Sequence, residues 1–398
     1  MEGVGQSHQV HHSVISVPPV HRVAATAAGF FAAVMAGLLL SAFHGNTTGF
    51  FRMGDCRPPA PALAHREVYV FPNQAGYDGQ YYLALALDPA LHDPGTFQTL
   101  DYPRYRYRRI LFPVMGYVLG LGQPALIPYT LPLLNIAAAI GLVWLVARWL
   151  QMGGSSGWGG LLVLGILGVW EVLALTTTDL VSSTLVIATL YALRREYPVA
   201  AAAALALAAL TREVMLLYWG VLLVALLAAR NWRALRWLIW AGLPALVWNC
   251  YVLYHLPASE NGNVVQILFG TPGGGWLEKI QQLTTGGLTG KNLFEALVFL
   301  SFLAALVVLP WNLWRLRALR VIWPAASIAV LLTAMLLCAK FFLLQYYLDY
   351  SRVFQDLFIL LILSLGFAGT ARRTTYAVVG VAGLSAVTFL VHYALGLV

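Results

Sequence analysis

Apolar stretches of about 15 to 25 residues recur from Ala24 to the end of the chain, each long enough or nearly so to cross about 30 Å of hydrocarbon as a helix. They predict spans near 24–43, 126–149, 157–175, 179–194, 197–211, 213–229, 234–254, 293–311, 319–340, 351–369 and 374–396, about eleven in all. The segment Ile110 to Gly122, "ILFPVMGYVLGLG", is apolar over only about 13 residues, so it is expected to lie at or dip into the membrane surface. Counting it as a span would invert every later loop. The expected fold is therefore an all-α polytopic membrane protein, a single transmembrane domain over 1–398. Within it, 1–23 forms a cytoplasmic tail, 44–125 a first outer loop with interfacial helices, and 255–292 a second large outer loop.

Composition agrees with the pattern. Of 398 residues 60% are hydrophobic and 10% charged, and the mean hydropathy is +0.74; an average soluble domain carries about 25% charged residues. The first apolar run follows about twenty polar residues, lacks a small-residue cleavage site and is followed by further spans, so it reads as a retained helix and not a signal peptide.

The net charge of +8 is nearly all arginine, lysine occurring only at 279, 291 and 340. Arginine-rich joints at Arg148, Arg194 and Arg195, Arg230 to Arg236, Arg315 to Arg320, and Arg372 and Arg373 all fall on one side if the N-terminus is cytoplasmic, as the positive-inside rule expects. Loop charge thus explains about half of the excess, and nucleic acid is not expected as a partner. Cys56, Cys250 and Cys338 have neither a CxxC spacing nor a histidine partner.

With that register the remaining polar features gather on the outer face. The stretch "AGYDGQYYLALALDP", Ala75 to Pro89, places Tyr77, Asp78, Gln80, Tyr81 and Tyr82 in the first outer loop. Tyrosines offer stacking faces and carboxylates accept hydroxyl hydrogen bonds, which suits a sugar. An Asp-Gly pair by itself is more often only a turn. "DYPRYRYRRILFP" follows with Asp101, Arg104, Arg106, Arg108 and Arg109, on the side where few arginines are expected. They form either a snorkelling belt for membrane lipid headgroups or a set of planar donors for the phosphate of a lipid-linked substrate. "TTTD" contributes Asp179, "LTRE" contributes Arg212 and Glu213, and "QYYLDYSR" contributes Tyr347 and Arg352. Arg212, with an acid beside it, is either a membrane-edge salt bridge or an anion contact.

No Walker loop, dinucleotide fingerprint, HExxH or GxSxG occurs. No cofactor is expected, and a divalent metal has no supporting motif. Asn46 opens an "NTT" glycosylation sequon, a pattern common by chance.

"GYDGQYYLALALDP", "YRYRRILFP" and "LTRE" resemble bacterial membrane proteins related to the PIG-V type mannosyltransferases, within the GT-C superfamily of polyprenyl-phosphate-sugar-dependent glycosyltransferases. The likeness covers the whole chain in topology and about forty residues in motif; the DxD pair of some GT-C enzymes is missing. It implies transfer of a sugar, mannose among the options, from a polyprenyl-phosphate donor to a glycan, lipid or protein acceptor at the outer face of a bacterial inner membrane. Asp78 would be the base for the acceptor hydroxyl, and arginines would hold the departing phosphate. A transporter or flippase for a lipid-linked or anionic solute is the alternative from another class. Such proteins often show internal repeats and midplane polar residues, and neither is evident here.

Overall fold

The first apolar run forms α1 (Val20–Ser41), so residues 20–23, expected in the tail, already belong to the helix. The computed structural model describes residues 19–257, 273–316 and 322–396; residues 1–18 of the expected tail and 258–272 of the expected second outer loop lie outside the described residues. After α1 the first polar loop is densely built. A 3₁₀ turn at Thr47–Phe51 is capped by Asn46, whose Oδ1 accepts from the Thr48 amide at 3.0 Å while Nδ2 donates to the Glu67 carbonyl at 3.3 Å. The sequon asparagine is thus engaged in holding the loop. Met53–Gly54 pairs in parallel with Val70–Phe71, a two-residue ladder that the hydrophobic pattern did not announce.

Four short helices complete the loop: α2 (Asp78–Leu87), α3 (Pro94–Thr99), α4 (Pro103–Tyr107) and α5 (Leu111–Leu119). Proline at or near the first position of α3 and α4 fixes their starts, since its missing N–H costs nothing there. The nine residues of α5 rise about 14 Å, which excludes a full crossing. α2 is buried from Gly79 to Leu87 and packs on α5.

Beyond the loop come α6 (Ile127–Met152), a 3₁₀ segment at Gly157–Gly165, α7 (Leu167–Leu175), α8 (Asp179–Arg194), α9 (Pro198–Thr211) and α10 (Met215–Ala228). The chain continues through α11 (Trp232–Leu238), α12 (Leu243–His255), α13 (Gly274–Thr285), α14 (Gly290–Arg315) and α15 (Ile322–Leu337). It ends with α16 (Phe341–Leu344), α17 (Tyr347–Val353), α18 (Gln355–Ser364) and α19 (Arg372–Ala394).

Among the described residues five stretches are long and apolar enough to cross a membrane: α1, α6, Trp232–His255, α14 and α19. The 3₁₀ segment and α7 make a sixth if their 63° bend is taken as one broken span. The lengths mark an integral membrane protein built almost wholly of helix. The expected eleven full spans are not reached by this measure: α9 and α10 have 14 residues each, a rise of about 21 Å.

The two ends of the bundle differ chemically. At one end Arg194 donates to the Trp149 carbonyl at 3.4 Å, Arg315 to the Gly369 carbonyl at 2.8 Å, and Arg372 to Ser155 Oγ at 3.4 Å. Asp179 begins α8 at the other end from Arg194, 16 residues and so about 24 Å away.

Two glycines set the crossings there. A Cβ on Gly79 would stand 2.2 Å from the Leu175 carbonyl, so only glycine lets the start of α2 lie on the end of α7. A Cβ on Gly168 would stand 2.4 Å from the Ser351 carbonyl, which lets α7 lie backbone-close to α17.

Candidate functional site

At the end of α7 Thr176 takes a left-handed conformation with φ 46°, turning the chain so that Asp179 opens α8. Thr177 Oγ1 donates to Asp179 Oδ2 at 2.7 Å. The fully buried Asp179 carboxylate is then clamped between two guanidiniums: Arg212 Nη1 lies 2.7 Å from Oδ1 and Arg352 Nη1 lies 2.8 Å from Oδ2. Arg212 follows α9 in extended backbone, and Arg352 comes from α17.

Arg352 links this pair to the first loop. Its Nη2 donates to Asp78 Oδ2 at 2.7 Å, and its Nε donates to the Tyr77 hydroxyl at 3.0 Å. The guanidinium also sits over the Tyr77 ring, 5.0 Å from its centre. Asp78 Oδ1 receives Arg106 Nη2 at 2.8 Å, and Arg106 grips Asp101 with Nε and Nη2 at 2.8 and 2.7 Å. Arg106 lies over the Tyr81 ring at 4.7 Å. Beside this chain Arg109 forms a second fork on Glu213, both contacts 3.0 Å, and donates to the Tyr82 hydroxyl at 3.0 Å and to that of Tyr105.

Burial pushes the Asp78 carboxyl up, but Arg106, Arg352 and Arg109 more than offset this and hold it well below the usual carboxylate range. Its place in the first turn of α2 adds the favourable end of the helix dipole. For Glu213 burial again works upward and Arg109 outweighs it, bringing the group down to about 2. Burial pushes Tyr81 and Tyr105 up to about 12, so both are neutral phenols able to donate. Chemically the cluster is a set of fixed planar cations, each held by a carboxylate that a phosphate oxygen can displace.

The structure joins Tyr77, Asp78, Tyr81, Asp101, Arg106, Asp179, Arg212 and Arg352 in one connected network, with Tyr82, Arg109 and Glu213 beside it. Four expected residues fall elsewhere. Gln80 holds a turn, donating to the Ala75 carbonyl at 2.8 Å and accepting from the Gly54 amide at 3.3 Å. Arg104 donates to the Leu256 and Leu253 carbonyls at 2.6 and 3.3 Å, tying α4 to the end of α12. Arg108 buries an Nε that finds no partner among the described residues. The Tyr347 ring packs edge-on against Phe294 at 4.9 Å and Phe389 at 6.4 Å.

Arg212 does not rest on its neighbour Glu213. Arg212 stands in extended backbone, where successive side chains leave opposite sides of the chain, so each of the two finds its own partner.

Several participants were missed by sequence reasoning. Asp349 accepts from the Tyr77 hydroxyl at 2.6 Å, and its signal was its place one helical turn before Arg352. Glu171, a lone acid inside an apolar run, accepts from Ser351 Oγ; an ionisable residue in such a run is itself a signal. Lys279 and Glu295, paired at 2.6 Å with Tyr350 donating to the same Glu295 oxygen at 3.1 Å, come from two segments that nothing in the sequence connects. Among the described residues no three His, Cys, Asp or Glu side chains converge on a point that could hold a metal ion. No family model matches this chain, and neither a curated protein nor a solved structure does.

Proposed function

We propose that this protein is a membrane glycosyltransferase that takes a hexose, mannose among the options, from a polyprenyl-phosphate donor and passes it to an acceptor hydroxyl with inversion. The observation that carries the reading is the continuous buried ladder Arg106–Asp78–Arg352–Asp179–Arg212, whose ion-pair contacts are 2.7 or 2.8 Å long. Intramembrane and membrane-edge charges are costly to keep and tend to mark a site. Planar guanidiniums suit the oxygens of a phosphate that must accept charge as it leaves.

An apolar groove of about 790 Å³ supports a lipid-linked substrate. It begins at Leu216, close in sequence to Arg212 and Glu213, and runs along Gly220, Val224 and Ala228 of α10 against Pro324 and Ile328 of α15. Its small residues leave room for a hydrocarbon chain whose phosphate reaches the arginines. In the reaction the acceptor oxygen bonds to the anomeric carbon, the carbon–oxygen bond to phosphate breaks, and a carboxylate of the cluster takes the acceptor proton. The active face is periplasmic in this reading, and the membrane is the bacterial inner membrane.

The test is transfer of radiolabelled hexose from synthetic polyprenyl-phosphate donors by the detergent-purified protein, with membrane extract of the source cells as acceptor. Labelled product that requires the lipid donor is expected. Movement of intact donor across a vesicle without cleavage would instead make the protein a flippase.

A further inference from the structure

We propose that Asp349 is the group that removes the acceptor proton and that Asp78 anchors the arginines; the assignment rests on the glycosyltransferase reading of the same site. Five carboxylates form ion pairs with the arginines of the cluster: Asp78, Asp101, Asp179, Glu213 and Asp349. Asp78, Asp101, Asp179 and Glu213 each have a guanidinium nitrogen at 3.0 Å or less. The nearest for Asp349 is Arg352 Nη2 at 3.5 Å. Its short bond, 2.6 Å, comes from a neutral phenol, Tyr77. Its side chain is 24% exposed, above 15% for Asp78 and Asp101 and 0% for Asp179, so an acceptor can reach it. Glu213 is level with it at 25%, but Arg109 grips that carboxylate at both oxygens. Among the described residues no hydrogen bond reaches Oδ2, while the Tyr77 hydroxyl fixes Oδ1.

Proton affinity follows this geometry. Burial raises the Asp349 carboxyl, and Arg352 and the Tyr77 hydrogen bond offset part of that rise, whereas the Asp78 anion adds to it. The groups that face it are Arg352 on α17, Tyr77 and Asp78 from the start of α2, and Glu171 from α7. Asp78 is shifted the other way by its arginines. A general base works best when its pKa lies near the operating pH, and a carboxylate gripped at both oxygens by guanidiniums is far below it. The two acids share one nitrogen, Arg352 Nη2, so the proton acceptor and the phosphate clamp stand side by side.

The step balances. The acceptor O–H loses its proton to Asp349 Oδ2 as its oxygen bonds to the anomeric carbon. The electron pair of the breaking carbon–oxygen bond leaves on the phosphate against Arg352 and Arg106, and Asp349 returns the proton to water.

The experiment compares wild type with Asp349→Asn, Asp349→Glu and Asp78→Asn, using polyprenyl-phosphate mannose, glucose and galactose with membrane extract as acceptor, with and without sodium azide. Asp349→Asn is expected to lower transfer by about 10²- to 10⁴-fold while donor binding persists. Azide, an anion that needs no base, should restore donor cleavage and yield glycosyl azide. The acid limb of the wild-type pH–rate profile should vanish in Asp349→Asn and return, displaced, in Asp349→Glu. Transfer by Asp349→Asn at the wild-type rate, a deficit that azide does not relieve, or azide rescue of Asp78→Asn instead would each overturn the assignment while leaving the enzyme reading intact. Failure of the wild type to cleave all three donors would remove the enzyme reading, and this assignment with it.

Discussion

Arg109 and Glu213, 104 residues apart in the chain, meet in a two-bonded fork, Nε on Oε2 and Nη2 on Oε1, both at 3.0 Å. The contact pins the first loop to the break between α9 and α10, one residue after Arg212 pins the same break to Asp179. The break is thus held from two directions, by the first loop and by the start of α8.

A double-mutant cycle tests the fork. Arg109→Ala and Glu213→Ala should each destabilise the protein, and the double variant should recover a coupling energy of about 1 to 3 kcal/mol in thermal or denaturant unfolding. Additive losses would show that the two side chains do not support each other.

The same pair sets an acid limit. Glu213 is depressed to about 2 from an ordinary 4.5, so its contribution is fully present above the higher value and is lost as pH falls through the lower one. Unfolding temperature should therefore decline between those values, and Glu213→Gln should flatten part of that decline. An identical acid profile in the variant would refute the linkage.

Breaking the ladder at Arg352 leaves Asp179 and Asp78 short of a counter-ion. Arg352→Gln should cost about 3 to 5 kcal/mol, the usual penalty for an uncompensated buried charge. Arg104→Gln, which only disturbs bonds to two carbonyls, should cost far less. Equal effects in a stability assay would mean that the ladder has no special weight.

Gly168→Ala probes a backbone crossing. The added methyl would meet the Ser351 carbonyl at 2.4 Å, forcing α7 and α17 apart. A loss of about 1 to 3 kcal/mol is expected, together with weaker donor binding because Arg352 rides on α17. Gly380→Ala, where a Cβ meets nothing within 4 Å, is the control and should be silent.

Orientation can be read by labelling. After replacement of the exposed Cys56 and Cys250, His65→Cys should react with a membrane-impermeant reagent in intact cells and Trp232→Cys should not. The reverse pattern would turn the protein over in the membrane.

Much of the plan was legible in the apolar runs, because a span announces itself by length and composition. Helix α5 declared its shortness the same way. The bounds of α8 to α10 lie close to the expected runs, with the turn at Thr176 to Thr178 between α7 and α8. An apolar run does not say, however, whether a helix of 14 residues, such as α9 or α10, makes a full crossing. Residue types in the polar joints named most of the charged groups that meet in the ion-pair network. Partners were a different matter. Arg212 and Glu213 part company because of one extended residue, and Gln80 is drawn into a turn by Gly54, neither of which composition records. The Asp-Gly pair read as a turn, but Gly79 sits inside α2 and permits a close approach to the Leu175 carbonyl. The place of Asp349 one turn before Arg352 was visible, but its bond to a tyrosine 272 residues away was not.

The bond between Arg352 and Asp78 also spans 274 positions of chain, with Asp179 waiting on the same guanidinium. During synthesis the first loop and the Asp179 turn emerge long before α17 does. Until α17 arrives, Asp78 and Asp179 each lack one of the two guanidiniums that hold them. The ion pairs of Arg352 therefore form late in biogenesis, once α17 packs against Gly168, and a chain halted before that point would hold both acids half-neutralised.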